Sequence, residues 1–530
     1  MQNSMHSKSS NKALIIGLIM RNITRKLICF GTVVLLGSPL SMAIASRQTA
    51  VPCEAKPAKQ TKILVLDSRI IDNVQNAKLT LGDAKKHPAN PLFGEDKPWE
   101  PRFDNVYANV IYDEEDKIYK CWYSPFIIDE RTTLTPEDRR HPFYTAYLEK
   151  DPDGREMGVC YATSKDGINW DKPELGLVEF NGNKKNNILM RGKHFEGVFN
   201  GPHGAGVFKD LHESDPAKRY KMIFKGTKMA VSFSADGLHW SEAINCPQID
   251  AHGDTHNIAF WAPDMGKYIG ITRLKYGMPD IKLDIRQVAR TESKDFVNWT
   301  KSRVVLEGSD PLMQTHDMVV FPTGGVFIGL LGVMEFIEKS NYNVKQHIEL
   351  AWSPDTVTWY RIEEGKPFIA NSSAEKEHFG YTPYDWGTAF ASAPIFLEDE
   401  VRIYYGACDW YFFDWRKGCL ALATLRPDGW AGYEPISTDA PAVITTKPIT
   451  GNLASLSITA DLQNGGSVIV SVVDEYGKEL AHSEPVGNTV TSGRIKWQAD
   501  VKGLTSMSDG KVRLKFVLRN ARLYAFQIKS

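Results

Sequence analysis

The stretch that decides the fold is Ser164-Lys-Asp166-Gly167-Ile-Asn-Trp170, because the pattern Ser-x-Asp-Gly-x-x-Trp returns along the chain. This pattern is typical of a hairpin: Gly takes positive φ, Asp binds the turn backbone, and Trp begins the next strand. Its copies are Ser164–Trp170, Ser234–Trp240, Ser293–Trp299 (with Phe296 in the Gly position), Ser353–Trp359 and the degenerate Arg426–Trp430. Successive tryptophans lie between 59 and 71 residues apart by subtraction, so the chain carries an internal repeat.

Each repeat has the same order of segments around its hairpin. A polar segment comes first, a strand follows, a third segment enters the hairpin, and a fourth follows the Trp. The second segments are rich in aromatic and β-branched residues, as in Tyr119–Tyr123 and Val326–Gly332. Four strands per unit around an axis are typical of a β-propeller. We therefore predict an all-β chain with a five-bladed β-propeller catalytic domain at residues 95–438.

The pattern changes beyond the last hairpin. Segments such as Ser467–Asp474 and Val512–Leu518 alternate apolar and polar residues between Gly, Asn and Asp turns. They predict a C-terminal β-sandwich accessory domain at 439–530. Residues 46–94 are expected to form an N-terminal linker with a strand near Lys62–Ile71.

The N-terminus has the pattern of an export signal. Arg21, Arg25 and Lys26 precede an apolar run, and Ala43-Ile44-Ala45 is a small-x-small cleavage site. We predict a signal peptide at 1–45, with Met20 as an alternative start. The mature protein is then periplasmic or extracellular and has no integral membrane segment. Its cysteines are compatible with one or two disulfides in an oxidising compartment; they are Cys53, Cys121, Cys160, Cys246, Cys408 and Cys419.

The composition excludes some classes of partner. A formal net charge of −1 over 530 residues gives no electrostatic reason to expect a nucleic acid or a membrane surface. Aromatic residues make up 11% of the chain, which suits both an all-β core and stacking on sugars. We expect a carbohydrate substrate, and the oligomeric state stays open.

Acids and histidines gather at the polar first segment of every repeat, which would line the channel of a propeller. They include Asp104, His203, His252, Asp254, His256, His316, Asp317 and Asp385. Several carboxylates around a funnel suit glycoside hydrolysis, which needs a proton donor of raised pKa and a base or nucleophile. A histidine can also donate the proton.

These segments supply the candidate site residues. The catalytic candidates are Asp104, Asp254, Asp317 and Asp385. The candidates for substrate binding are Trp99, Arg102, Asn105, His203, His256, His316 and Trp386. No cofactor or resident metal is expected, although histidines and carboxylates together also suit a divalent cation in the channel. Arg102, Arg273 and Lys275 leave open an acidic or sulfated sugar.

From about residue 95 onward, the chain resembles the five-bladed propeller glycoside hydrolases. The likeness is greatest to family 32, the invertase and levanase type, with kinship to families 43 and 117. Trp99–Asn105 resembles that family's opening block, which implies Asp104 as nucleophile. Asp254 stands where the family has its general acid, and Asp385-Trp386-Gly387 resembles its Asp-x-Gly stretch.

The chain departs from that family at several positions. Its Arg-Asp-Pro motif is absent, Asn200-Gly-Pro-His203 stands near that place, and the acid is Asp rather than Glu. Fructoside specificity is therefore not implied. The missing motif favours a second hypothesis, a non-catalytic glycan-binding propeller. A sialidase-like enzyme is less compatible, because it needs six blades and three inner arginines.

Overall fold

The protein is nearly all β-structure in the part that the structure describes. This computed structural model describes residues 60–135, 155–192, 201–278, 283–337, 343–501, 504 and 511–529. Its one α-helix there, α1 (Glu130–Leu134), has five residues. The all-β class predicted from the sequence is thus confirmed, while the predicted signal peptide and Cys53 lie outside the described residues.

Five short strands precede the first repeat. They are β1 (Gln60–Leu64), β2 (Ile71–Gln75), β3 (Ala77–Leu81), β4 (Lys85–Lys86) and β5 (Phe93–Gly94). The strand expected over Lys62–Ile71 therefore begins slightly earlier and ends at Leu64.

The first three repeats each form an antiparallel sheet of their own. The first contains β6 (Arg102–Asp113), β7 (Ile118–Asp129), β8 (Arg155–Ser164), β9 (Trp170–Asp171) and β10 (Ile188–Arg191). The second contains β11 (His203–Lys209), β12 (Tyr220–Lys225), β13 (Met229–Ser234) and β14 (Ile244–Asn245). The third contains β15 (Ile258–Ala262), β16 (Lys267–Met278), β17 (Leu283–Ser293) and β18 (Arg303–Glu307).

The fourth and fifth repeats share a larger sheet through one parallel bridge, Gln346 to Thr388. The fourth repeat supplies β19 (Met313–Thr323), β20 (Val326–Phe336), β21 (Val344–Ser353) and β22 (Tyr360–Arg361). The fifth supplies β23 (Thr388–Ala391), β24 (Ile395–Phe396), β25 (Val401–Cys408) and β26 (Gly418–Leu425).

The outer position of the fifth repeat is taken by strands from the N-terminal part of the chain. β4 and β5 pair with β26, at Ala423–Lys86 and Cys419–Gly94. A strand does follow Trp430, at Ala431–Pro435, but it pairs with β3 and with the C-terminal strand instead of with β26. The fifth turn still closes, with the Gly429 N–H donating to the Arg426 carbonyl oxygen at 3.1 Å, but the Asp428 carboxylate accepts from Lys62 and Thr459.

The other four hairpins form as the sequence predicts. Asp166 shows the turn: its Oδ1 accepts the backbone N–H groups of Ile168 and Asn169, both at 2.8 Å. Gly167 has φ 77°. Phe296 and Thr356 take its place in the third and fourth copies, also at a φ of 65°.

The first strands of the five repeats contact one another in a closed circuit. β6 contacts β11, β11 contacts β15, β15 contacts β19, β19 contacts β23, and β23 contacts β6. The polar segments that open these strands are therefore brought to one axis.

The C-terminal segment forms a separate sheet that also takes N-terminal strands. It contains β27 (Ala431–Pro435), β28 (Ala442–Thr446), β29 (Asn452–Val473), β30 (Glu479–His482), β31 (Val490–Arg494) and β32 (Arg513–Lys529). β1 pairs with β32, β2 with β28 and β3 with β27. Its core is apolar and includes the fully buried Val470 and Phe516.

No disulfide joins the described cysteines. Those five are free and buried; they are Cys121, Cys160, Cys246, Cys408 and Cys419. Searching the described residues also gives no helix that is long and apolar enough to cross a membrane.

Candidate active site

Five buried rings meet at the axis, one from each repeat. Tyr107 of β6 lies 5.8 Å from His203 of β11, 5.3 Å from His256 and 5.7 Å from Phe390 of β23, measured between ring centroids. His316 of β19 lies 5.5 Å from Phe390. The rings therefore lie close together around the axis.

Irregularities in the first strands aim these side chains inward. The register of β6 shifts on both sides of Val106, where Val106 and Tyr107 have φ values of 63° and 41°. β11 shifts directly after His203, and Gly204 has φ 57°. A Cβ on Gly204 would meet the Thr255 carbonyl oxygen at 1.6 Å. Such bulges redirect side chains and are frequent beside functional sites.

Asp254 is the most accessible carboxylate of this cluster. Its side chain is 46% exposed, whereas those of its partners His203 and Arg273 are each 3% exposed. Its Oδ1 lies 2.9 Å from His203 Nε2, and its Oδ2 accepts Arg273 Nη2 at 2.5 Å. Desolvation opposes ionisation, but Arg273 and then His203 outweigh it and hold the pKa of Asp254 well below its usual range. Asp254 is therefore an anion at neutral pH.

Asp317 has the opposite environment. It is buried, and its Oδ1 accepts Gln346 Nε2 at 3.0 Å and lies 3.2 Å from His316 Nδ1. Its Oδ2 has no hydrogen-bond partner among the described residues. Burial raises the pKa of Asp317 to about 7, against the opposing effects of Gln346 and Arg273. A Cβ on Gly332 would lie 2.2 Å from Asp317 Oδ1, so glycine makes the room for this carboxyl group.

Two of the buried axial histidines are neutral near pH 7. Burial lowers the pKa of His256 to about 4, and its Nε2 lies 3.1 Å from Asn109 Oδ1. Burial, followed by Arg273 and Arg286, also lowers the pKa of His316 well below its usual value. Each imidazole can therefore donate a proton from one nitrogen only if its other nitrogen accepts a proton.

The opening block of the first repeat is divided between two places. Asn105 Nδ2 donates to Tyr107 Oη at 2.6 Å and its Oδ1 accepts Arg416 Nη2 at 2.8 Å, so it supports the axial rings. Arg102 is buried and donates to the Asp414 carbonyl oxygen at 3.0 Å. The backbone of Asp104 lies in β6, but its side chain is outside the described residues.

Three other sequence-predicted residues have partners away from Asp254. Trp99 Nε1 donates to Asn187 Oδ1 at 2.6 Å. Trp386 is fully buried and stacks on Trp410 at 4.7 Å, so its ring has no exposed face in this structure. The contacts of Asp385 are Lys86 Nζ at 2.5 Å and Tyr405 Oη at 3.1 Å.

The sequence reasoning missed Tyr107, Arg286, Gln346 and Arg416, and it considered Arg273 only as a contact for an acidic sugar. Arg273, Arg286 and Gln346 lie on second and third strands, whereas the search covered first strands. The usable signal was the length of the β16–β17 hairpin, whose strands of 12 and 11 residues carry cations near their joined ends.

The described residues offer no preformed metal site. No group of three or more His, Cys, Asp or Glu side chains in the described part of the chain is arranged to hold a metal ion. A cleft of about 760 Å³ lies elsewhere, lined in part by Met190, Phe224 and Trp240. It does not include the axial residues.

Sequence comparisons identify no relative: no family model matches, and no curated protein matches. Solved structures do show likeness. A β-1,2-mannobiose phosphorylase from Listeria innocua is 15% identical, with a TM-score of 0.43, over 65% of this chain and 96% of that one.

Two further solved structures are similar to the chain. One comes from the GH130 family of mannoside phosphorylases, which contains glycoside hydrolases that target β-1,2-mannosidic linkages in Candida mannan. It is 15% identical to this chain, with a TM-score of 0.42, over 67% of this chain and 97% of that one. The other is an N-acetylgalactosamine deacetylase from F. plautii. It is 12% identical, with a TM-score of 0.36, over 70% of this chain and 94% of that one. All three identities are below 25% and all three TM-scores are below 0.5, so they do not decide family or activity.

Proposed function

We propose that this chain is an exported glycoside hydrolase built on a five-bladed β-propeller, with its active site at the mouth of the axial channel. The closed circuit of β6, β11, β15, β19 and β23 supports five blades. The observation that carries the function is the pair Asp254 and Asp317, whose pKa values are moved in opposite directions beside the shared cation Arg273. Glycoside hydrolysis requires two carboxyl groups with different pKa values, so that one is ionised while the other holds a proton.

The roles that we assign differ from those that the family resemblance implies. Asp254 is held as an anion and is half-exposed, so it is suited to act as base or nucleophile rather than as the acid. Asp317 keeps a proton near pH 7 and is suited to be its source. Asp104 stays a candidate nucleophile on the resemblance alone.

We assign His316 as the carrier of the Asp317 proton, because it adjoins Asp317 and its ring is one of the five at the axis. His316 Nδ1 lies 3.2 Å from Asp317 Oδ1. In the step that we propose, the glycosidic oxygen takes the proton on His316 Nε2 while Nδ1 takes the proton of Asp317. The C–O bond breaks and the leaving sugar departs as a neutral alcohol, while a water that gives its proton to Asp254 bonds to the anomeric carbon. The imidazole remains neutral, Asp317 becomes a carboxylate and Asp254 becomes protonated.

A specific observation favours the non-catalytic alternative. Both oxygens of Asp254 are engaged by His203 and Arg273, and Asp317 is buried. A glycan-binding propeller would show the same arrangement, since a carboxylate fixed by two partners can also accept hydrogen bonds from sugar hydroxyls.

Turnover separates the two functions. The full chain is incubated with a panel of neutral and acidic oligosaccharides, and products are followed by mass spectrometry alongside calorimetric binding. Hydrolysis of at least one oligosaccharide, lost in Asp254→Asn, is expected. Binding without any product, with binding weakened in Asp254→Asn, would establish the non-catalytic propeller instead. Export is tested separately by the N-terminal sequence of the secreted protein, which is predicted to begin near Ser46.

A further inference from the structure

The hairpin of β16 and β17 places cations where a sheet would normally avoid them. Arg273 and Lys275 are two residues apart on β16 and share one face, and Arg286 of β17 lies directly opposite Lys275. Like charges that face each other across an antiparallel pair are destabilising. Such a pairing needs negative charge nearby to compensate it.

The carboxylates nearby do not neutralise these cations completely. Lys275 Nζ lies 2.8 Å from Asp284 Oδ2, and Arg273 Nη2 binds Asp254. In the described part of the chain, Arg286 donates to neutral acceptors, Gln314 Oε1 at 3.2 Å and the Asp284 carbonyl oxygen at 3.4 Å.

Two guanidinium N–H groups are left over in this face. The Nε atoms of Arg273 and Arg286 are buried and have no hydrogen-bond partner among the described residues. Arg273 as a whole is only 2% exposed. A buried donor without a partner is costly, and the planar fork of Arg is well matched to an oxyanion.

The neighbouring repeat adds a fourth cation. Lys225, at the end of β12, donates to the Ala251 carbonyl oxygen at 3.2 Å. His252 lies among these charges: burial, then Lys275, Arg273 and Lys225, lower its pKa. Arg273, Lys275, Arg286 and Lys225 are the cationic face from here on. Among the described residues, its four positive charges meet two carboxylates, Asp254 and Asp284.

We propose that the cationic face is a subsite for an oxyanion, namely a carboxylate or sulfate group carried by the glycan that occupies the mouth. The assignment of a glycan to this mouth rests on the proposed function. Arg273 joins the two sites, because it binds Asp254 directly. An acidic substituent beside the sugar would accept the unused N–H groups and balance the charge.

Binding of an oxyanion can be measured without knowing the glycan. The first probe is sodium sulfate, titrated into the full-length protein by calorimetry and compared with sodium chloride at equal ionic strength. Arg286→Gln is expected to weaken sulfate binding about tenfold, the effect of losing one hydrogen bond to a charged group. Lys301→Gln is the matched control, because Lys301 lies in the same repeat, is 74% exposed and pairs with Asp250. It should bind sulfate as the wild type does.

Asp254→Asn distinguishes this proposal from the proposed hydrolysis. It removes the anion beside Arg273, so sulfate should bind several-fold more tightly even though turnover is lost. If no glycan is hydrolysed but sulfate binding behaves as described, the cationic face stands and the hydrolase does not. Sulfate binding that is absent from the wild type, or equal in Arg286→Gln, overturns the cationic face as an oxyanion site.

The source of the oxyanion is decided with matched glycan pairs. Oligogalacturonate is compared with its carboxyl-reduced form, and a sulfated galactan oligosaccharide with its desulfated form. At least one acidic member should bind about tenfold more tightly than its neutral partner, and Arg286→Gln should remove that preference. Equal affinity within every pair, or no binding of an acidic member, overturns the assignment to a glycan substituent and leaves a free inorganic oxyanion.

Discussion

The aspartates of the outer hairpins and those at the axis differ in how their oxygens are satisfied. Asp166 is exposed, and the backbone N–H groups of Asn169 and Ile168 hold its pKa well below the usual range. Asp317 is buried, has one oxygen without a hydrogen-bond partner in the described part of the chain, and has its pKa raised to about 7 by burial. Asp166 closes a turn with the backbone of its own neighbours. Asp317 instead holds a proton that takes no part in a hydrogen bond among the residues that the structure describes.

The difference teaches where to look for function in a repeat protein. The motif that recurs in the first four repeats is satisfied locally and sets the phase of the strands. The residues that differ between repeats meet at the axis, where Tyr107, His203, His256, His316 and Phe390 come one from each. Substitutions at the axis should therefore change activity, whereas substitutions in the outer hairpins should change stability.

The largest effect is expected from Asp254→Asn. Loss of this anion should reduce kcat/KM about 10²- to 10⁴-fold, the usual range for a residue that moves a proton. It should also lower the free energy of unfolding, because the buried Arg273 loses its carboxylate partner. Steady-state kinetics on a hydrolysed glycan, with urea unfolding of the same sample, check both parts. A variant that keeps full activity would remove Asp254 from the mechanism.

Asp317→Asn should reduce activity about 10²-fold and change the pH profile. In the wild type, activity should fall as the pH rises through about 7, because Asp317 loses the proton that it has to supply. The variant should lack this alkaline limb. A pH–rate profile of both proteins is the measurement, and an identical limb in the variant would assign it to another group.

Stability should respond to Asp317 in the same pH range. Its folded pKa lies above the ordinary value of 3.8, so its contribution is fully present below about pH 4 and is lost as the pH rises through about 7. The free energy of unfolding of the wild type should fall relative to that of Asp317→Asn by up to a few kcal/mol between pH 4 and 8, at about 1.4 kcal/mol per pKa unit. Parallel unfolding curves at all pH values would contradict the buried, protonated carboxyl.

A smaller effect on stability is expected for Asp385→Asn. The change breaks the ion pair with Lys86, whose side chain is 28% exposed, and should cost about 2 kcal/mol, below the range for a fully buried pair. Its effect on kcat/KM per folded molecule should be far below that of Asp254→Asn. A loss of activity as large as that of Asp254→Asn, without loss of stability, would return Asp385 to the catalytic group.

The smallest effect is expected in the outer hairpin. Asp166→Ala removes the acceptor of the Ile168 and Asn169 N–H groups and should lower stability by about 1 kcal/mol, as for loss of a helix N-cap. Activity should be unchanged. Thermal unfolding and glycan turnover measured together would reveal an effect of the hairpin on function, which would break the division between the two regions.

Much of the fold follows from the sequence because a repeated turn has a local cause. The hairpin at Ser164–Trp170 requires only its own residues, and its copies locate the first strands. The pairing of β26 with β4 and β5 was not predictable, because it joins residues more than 300 positions apart. The degenerate fifth hairpin was its only trace.

The candidate site was predicted in part. Five residues could be placed at the axis because they lie in, or directly before, the first strands of their repeats. They are His203, Asp254, His256, His316 and Asp317. Arg273 and Gln346 come from strands whose register no motif records. The roles also needed the structure, since only the contacts of Asp254 and Asp317 reveal which one is the anion.

The central claim is that the axial mouth, and not another surface, is where this protein meets its ligand. A crystal structure of Asp317→Asn with the glycan that the wild type binds most tightly tests it most directly. The account predicts a sugar unit within hydrogen-bond distance of Asp254 and a charged or polar substituent against Arg273 or Arg286. A glycan seated in the cleft beside Met190, Phe224 and Trp240, with the mouth empty, would contradict it.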